Sequence, residues 1–360
     1  MELNTTKKIA VLCDYRLMPE RVGGMDRFFW KFDKYCKQNG CEIVWFFPNK
    51  ASHGEYENLV IHSAETKSIE AAFLAYCSFH NCEFDVVVTH FLELCTSFFK
   101  KVKANSSCKT IAVDHNPRPI RGYSLKKRIG KRVKGLLYSR YTDLFVGVSE
   151  YTQNHILRDF GFHLKSKTIV VYNGIVHELY QKRSQRNLSK PTFLVACHLR
   201  FSKGIQDLIK AVAMLPDSIK KEIRIDVYGE GEYKSILVNM IETYKLAPVF
   251  TFKGSVPNLY EVYGQYDYLL QPTHMECFSL SILESLSANV PVITTSVGGN
   301  EEAVFDGKNG YIFKPKDVKA LSGILERVYL GESHIDEKTN SYIEENFSIE
   351  KMVSEHYKLL

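Results

Sequence analysis

Two carboxylates eight residues apart, Glu276 and Glu284, bracket the segment Glu276-Cys277-Phe278-Ser279-Leu280-Ser281-Ile282-Leu283-Glu284. The apolar run Tyr268-Leu269-Leu270 lies upstream. A helical stretch follows, then Pro291-Val292-Ile293-Thr294-Thr295 and Gly298-Gly299-Asn300-Glu301-Glu302. Ser279 or Ser281 can cap the helix, and the next amides, from about Leu280 to Ile282, then lack intrachain acceptors. Such an end attracts a diphosphate through its N–H groups and its dipole. Glu284 can accept from ribose hydroxyls there, and the loop carboxylate Glu276 can reach sugar hydroxyls. A plainer explanation is open too. Ser281-Ile282-Leu283-Glu284 fits the S-x-x-E capping box, in which Glu284 bonds only backbone.

A second cluster lies at Cys197-His198-Leu199-Arg200-Phe201-Ser202-Lys203-Gly204, between a strand and a helix over 205–214. Arg200 and Lys203 can converge on a diphosphate and neutralise a leaving group. Two solvated loop cations are the alternative. Gly229-Glu230-Gly231 reads as a tight turn at a strand end. The first strand–helix turn has only Gly23-Gly24 and no GxGxxG, which counts against a dinucleotide enzyme.

Charge is uneven. Nine basic residues and no acid lie between Pro117 and Thr142, while the net charge of the chain is +6. The basicity is therefore local, which implies one oriented anionic partner and no general nucleic-acid affinity. Lys126, Lys127, Arg128, Lys131, Arg132 and Lys134 belong to an amphipathic stretch over 125–141. Leu125, Ile129, Val133 and Leu136 share one of its faces. Such a helix suits an anionic membrane surface. An ordinary solvated helix is the alternative.

The elements that position these residues alternate. Strands are expected at 8–14, 42–47, 85–89, 110–114, 144–148 and 168–172, with helical stretches between, including 25–37. The polar segment 181–190 reads as a linker. A second series follows, with strands at 192–197, 223–228, 249–253, 268–271, 292–295 and 311–313. Residues 347–360 read as a terminal helix. The pattern predicts an α/β protein of two doubly wound, Rossmann-like domains facing across a cleft. The expected division is 1–185, 186–345 and a C-terminal helix, 346–360, that returns to the first domain. Hydrophobic content of 45% and charged content of 24% are globular values. No apolar run spans a bilayer and residues 1–12 show no cleavable signal, so a cytoplasmic location is expected. The nine cysteines form no CxxC pair and read as free thiols.

Taken in order, Lys203-Gly204, Gly229-x-Gly231, Glu276…Glu284, Pro291-Val292-Ile293 and Gly298-Gly299-x-x-Glu302 resemble the family-4 retaining glycosyltransferases of GT-B fold. Their usual run is GRLxxxKG, GxG, E-G-F-G-L-x-x-x-E, PVI and GGxxE. The N-terminal half matches more loosely through Gly23-Gly24, Asp114-His115, Ser149-Glu150 and Asn173-Gly174. Three departures stand out: His198 replaces the usual Arg, Cys277 and Ser279 replace both glycines of EGFG, and Val176 follows Asn-Gly where many relatives have Asp.

The resemblance implies transfer of a sugar, with retention, from a nucleoside diphosphate sugar (UDP-linked in our reading) to a hydroxyl. The acceptor would be a lipid-linked or cell-surface glycan on the inner face of the cytoplasmic membrane. It assigns His115, Glu276, Arg200 and Lys203 to catalysis. Gly24, Glu284, Phe278, Ser279, Leu280, Ser281 and Gly229 would bind the donor. It also implies no cofactor and no metal, in keeping with the lack of a DxD pair. Two alternatives stay open: an inactive relative serving as a partner subunit, and another GT-B enzyme such as a sugar-nucleotide epimerase or a phosphorylase.

Overall fold

The computed structural model describes residues 6–80 and 83–360, so Cys82 lies outside the described residues. The chain forms two compact units. One holds the chain up to Asn116, Arg121–Asn173 and Glu350–Leu360; the other holds Pro117–Ile120 and Gly174–Ile349.

The first unit is built on β1 (Lys8–Cys13), β2 (Glu42–Phe47), β3 (Ile61–Ser63), β4 (Val86–His90), β5 (Lys109–Asp114), β6 (Leu144–Gly147) and β7 (Thr168–Val170). All pair in parallel, in the order β3-β2-β1-β4-β5-β6-β7. Ile9 to Cys13 are fully buried, because helices cover both faces of a parallel sheet. The helix Gly24–Gln38 buries Phe28, Phe29, Phe32 and Cys36. Each such side chain stabilises the unit by about 1.5–3 kcal/mol. Tyr35 stands at the edge of that face, edge-on to Tyr357 of the terminal helix Ile349–Lys358. The three-residue edge strand β3 is too short to leave a periodic signal, and the sequence did not reveal it.

The second unit holds β8 (Phe193–Ala196), β9 (Ile225–Tyr228), β10 (Phe250–Gly254), β11 (Tyr268–Gln271), β12 (Val292–Thr295) and β13 (Gly310–Phe313). These too are parallel, in the order β10-β9-β8-β11-β12-β13.

Segment 181–190 is not a free linker. The buried carboxylate of Asp267 pairs with Arg183 at 2.7 Å and accepts from the Asn187 amide at 2.8 Å. Arg186 donates to Asn289 Oδ1 at 2.7 Å. A buried charge must be partnered, and these polar residues do so, strapping the segment to the second unit. Composition alone does not separate such a strap from a solvated linker. The compact units accordingly divide at Asn173/Gly174, before the strap rather than within it.

Candidate active site

In each sheet the chain builds outward from a central strand, then returns to that strand's other side. β8 lies between β9 and β11, and β1 between β2 and β4. Loops leaving the carboxyl ends at such a reversal diverge and open a crevice for a ligand. In the second unit, the loop after β8 carries Arg200 and Lys203, and the loop after β11 carries Glu276.

These two loops are stitched together. Lys203 Nζ lies 2.8 Å from Glu276 Oε2. The His274 amide donates to the Ser202 carbonyl at 2.7 Å, and Thr273 Oγ1 donates to the same carbonyl at 3.1 Å. The buried His274 ring places Nε2 2.6 Å from Asp207 Oδ2. Gly204 has φ +73, and a Cβ there would sit 1.8 Å from the Pro272 carbonyl oxygen. Gly298, φ +65, presses on the Glu276 carbonyl oxygen, which lies 2.3 Å from its would-be Cβ. Only glycine allows both the backbone angle and the approach.

The electrostatics follow from the pairing. Burial disfavours the Lys203 ammonium, but the Glu276 charge and hydrogen bond more than offset it, so its pKa lies above the ordinary lysine value. Arg200 lies near enough to oppose that charge. It is exposed and pairs with no carboxylate among the described residues.

Ser279 is the N-cap of the helix Leu280–Ser287. Its Oγ accepts from the Ile282 amide at 3.4 Å and from Gln271 Nε2 at 2.7 Å. The Ile282 amide is thus used within the chain, contrary to the sequence expectation. Among the described residues, no acceptor takes the amides of Leu280 and Ser281. With Ser279 as cap, position N3 is Ile282, so Ser281 and Glu284 do not form a capping box. Glu284 is held instead by Tyr263, whose buried hydroxyl donates to Oε2 at 2.8 Å. Phe278 is buried against Phe347. The Gly229 amide donates to the Gly254 carbonyl at 2.8 Å, so that N–H is not offered to a ligand.

In the first unit, His90 ends β4 and His115 follows β5. His90 Nδ1 and His115 Nε2 are 3.0 Å apart, and both side chains are buried. Burial, reinforced by nearby His356, pushes His115 down to about 3. His90 is held well below its ordinary value by burial and by both neighbours. The His115 ring stacks on Phe91 at 4.2 Å. Phe91 has φ +63, a left-handed backbone that is costly for a bulky residue. Gly24 opens the helix Gly24–Gln38, and the Gly23 amide is held by Asp26 Oδ2 at 2.8 Å.

The family described as Glycosyl transferases group 1 matches residues 176–347, and that described as Glycosyltransferase Family 4 matches residues 22–179. N-acetyl-alpha-D-glucosaminyl L-malate synthase of Bacillus anthracis is 24% identical over 67% of this chain and 71% of its own length. An uncharacterized glycosyltransferase of Methanocaldococcus jannaschii is 23% identical over 94% of each chain. Among solved structures, Anabaena HepE in complex with UDP-glucose has a TM-score of 0.74 at 17% identity, covering 98% of this chain and 100% of that one. The lipopolysaccharide outer core galactosyltransferase WaaB has a TM-score of 0.73 at 18% identity, with coverage of 98% and 100%.

The chain belongs to the family-4 glycosyltransferases, with the GT-B fold.

The departures from the usual glycosyltransferase motif fit this backbone. Neither Cys277 nor Ser279 lies in the left-handed region. Ser279 replaces a glycine and gains the cap and the Gln271 contact. His198 is exposed, and Arg200 is the cation that acts on Lys203. Sequence reasoning missed His274, Asp207, Thr273, Tyr263 and His90. Only their long-range partners distinguish them, and no local spacing marked them.

The basic helix runs Leu125–Tyr138, capped by Ser124, and its apolar ridge faces outward. Leu125 and Leu136 are 70% and 71% exposed, and Ile129, Val133 and Leu137 are exposed beside them. Gly135 is its one buried residue among those described, set against the Phe160 carbonyl. The expected patch is smaller than the sequence implied. Lys126, Lys127, Arg128 and Arg132 are exposed, but Lys131 turns to Asp159 at 3.3 Å and Lys134 to Glu93 at 2.8 Å. No helix among the described residues is long and apolar enough to cross a membrane.

Proposed function

We propose that this glycosyltransferase moves a sugar from a UDP-linked donor to a hydroxyl of a lipid-linked or cell-surface glycan, with retention and without a metal. The observation that carries the reading is the Lys203–Glu276 pair, followed in the chain by a helix whose Leu280 and Ser281 amides have no acceptor among the described residues. Arg200, Lys203 and the two amides would hold the diphosphate and stabilise the charge left on it as the glycosidic bond breaks. In this reading their positive charge would do the work of a divalent ion. Glu276, oriented by Lys203, would position the sugar hydroxyls. Glu284, oriented by Tyr263, would accept from the ribose. His115 toward the sugar and Gly24 toward the diphosphate keep the roles the resemblance implies. Burial keeps His115 neutral, so it would serve as a hydrogen-bonding group rather than a cation.

Support for a uridine donor comes from HepE, solved with UDP-glucose, and support for a glycan acceptor from WaaB, a lipopolysaccharide galactosyltransferase. The outward-facing apolar ridge, flanked by four exposed cations, supports binding at an anionic membrane surface.

A thermal-shift series with UDP, GDP, ADP and their sugars, followed by donor hydrolysis and transfer assays in EDTA, tests the reading. Stabilisation by uridine compounds and EDTA-resistant turnover are expected. No shift with any of them, together with no turnover, would reject it.

A further inference from the structure

We infer that the first unit carries a subsite for an anionic group on the acceptor, where β1, β2 and β3 end. An open pocket of about 440 Å³ there is lined by Arg16, Pro48, Asn49, Lys50, Ser63 and Glu65. Arg16 follows β1, Lys50 follows β2, and Ser63 closes β3.

The walls are fixed by the chain itself. Asn49 Oδ1 accepts from the Leu17 amide at 3.0 Å, and its Nδ2 donates to the Leu17 carbonyl at 2.9 Å. The loop carrying Arg16 is thereby tied to the loop carrying Lys50. The Glu65 amide donates to the Pro48 carbonyl at 3.1 Å, and Glu65 itself has φ +53. The third wall is thus held at some backbone cost.

Arg16 and Lys50 are exposed, and neither pairs with a carboxylate among the described residues, Glu65 included. Two unneutralised cations across a small pocket draw one anion, and a guanidinium matches a carboxylate or a phosphate monoester. The volume suits a small ligand, and every lining residue except Pro48 carries a polar or charged side chain. Glu65 and Ser63 supply hydrogen-bond acceptors, so the fitting ligand carries hydroxyls as well as its charge. The pocket lies on the same edge of the sheet as His115. Three strand spacings separate β2 from β5, about 14 Å. An acceptor anchored there by its anion can extend a hydroxyl along that edge.

The word acceptor rests on the proposed function; the anion subsite does not. Calorimetric titration of the UDP-saturated protein with inorganic phosphate tests the subsite directly. The Arg16→Gln/Lys50→Gln variant should bind phosphate roughly tenfold more weakly or worse. The same charge change at exposed Lys100 and Lys101 should leave binding at the wild-type level. Equal binding by Arg16→Gln/Lys50→Gln, or none by the wild type, overturns the subsite. Transfer from UDP-glucose to glycerol 3-phosphate, glycerate and glycerol tests the acceptor role. One of the anions should exceed glycerol at least about tenfold in kcat/KM, an advantage lost in the double variant. The better anion distinguishes phosphate from carboxylate. Equal use of glycerol overturns the acceptor role. Arg-dependent phosphate binding with no transfer to any acceptor would instead count against glycosyl transfer and leave the subsite standing.

Discussion

Lys203 Nζ and Glu276 Oε2 meet at 2.8 Å, joining the loops that leave β8 and β11 on the two sides of the sheet's point of reversal. Seventy-three residues separate them in the chain. The ion pair is largely buried, and its main value is orientation: each charge fixes the other where a ligand can use both. Glu276→Ala should lower kcat/KM by about 100-fold or more, and Lys203→Ala by a similar factor. Unfolding midpoints should also fall, because either substitution leaves the remaining charge uncompensated in a largely buried place. Steady-state kinetics beside urea unfolding checks this. Full activity in both variants would sink the assignment.

Gly204 should resist any side chain. Gly204→Ala places a Cβ against the Pro272 carbonyl in a left-handed conformation. It should cost about 2 kcal/mol or more and displace the loop that holds Glu276. Urea unfolding gives the cost, and a parallel loss of kcat tests the displacement. An alanine variant of wild-type stability would contradict the close approach.

Ser279 answers to two partners. Ser279→Ala removes the cap of the helix Leu280–Ser287 and leaves Gln271 without an acceptor. A loss of about 1 kcal/mol or somewhat more is expected. Ser279→Gly, the residue usual in the family, should cost less at the cap, a few tenths of a kcal/mol. Thermal unfolding of the two variants should rank them in that order, and the reverse order would refute the cap.

Acid should loosen the first unit. His115 is pushed down to about 3 and His356 to about 4, both chiefly by burial, and His90 lies well below its ordinary value. The native state therefore binds fewer protons than the unfolded chain below about pH 6.5. Stability is complete above that value and falls as pH drops toward 4. At pH 5.0 the loss is about 2 kcal/mol for each fully buried histidine. Urea midpoints at pH 7.5 and 5.0 measure it. The His356→Phe variant, facing Phe28 at 4.8 Å in place of the imidazole, should show a shallower slope. Unchanged midpoints across this range would contradict neutral, buried rings.

The helix Leu125–Tyr138 should carry membrane binding through both its charges and its ridge. Gln at Lys126, Lys127, Arg128 and Arg132 should weaken sedimentation with anionic vesicles by about 100-fold, at about 1 kcal/mol per charge near the surface and less for those facing away. Ile129→Ser with Leu136→Ser should weaken it independently. Lys134→Gln should matter less, because that ammonium is paired with Glu93. Equal binding by all variants would reject the surface.

The sequence by itself determined the fold class. Continuous apolar runs such as 9–13 and 86–88 pack only as strands covered on both faces, and their alternation with helices leaves doubly wound sheets as the economical arrangement. Local spacing likewise exposed Lys203-Gly204 and Glu276…Glu284, since a loop cation and a helix-end carboxylate each leave a short, ordered signature. Tertiary structure alone decided which atoms those residues face. Ser281-x-x-Glu284 has the letters of a capping box, yet the helix starts two residues earlier, with Ser279 as its cap, and Tyr263 takes the carboxylate. The polar run 181–190 has the letters of a linker, yet the buried charge of Asp267 claims it. The apolar ridge from Leu125 to Leu136 has the period of a core-facing helix, yet it points outward because Gly135 supplies the close contact. In each case the deciding partner lies far along the chain, and contacts of that kind are set by packing and by the need to satisfy buried charge, which no local pattern records.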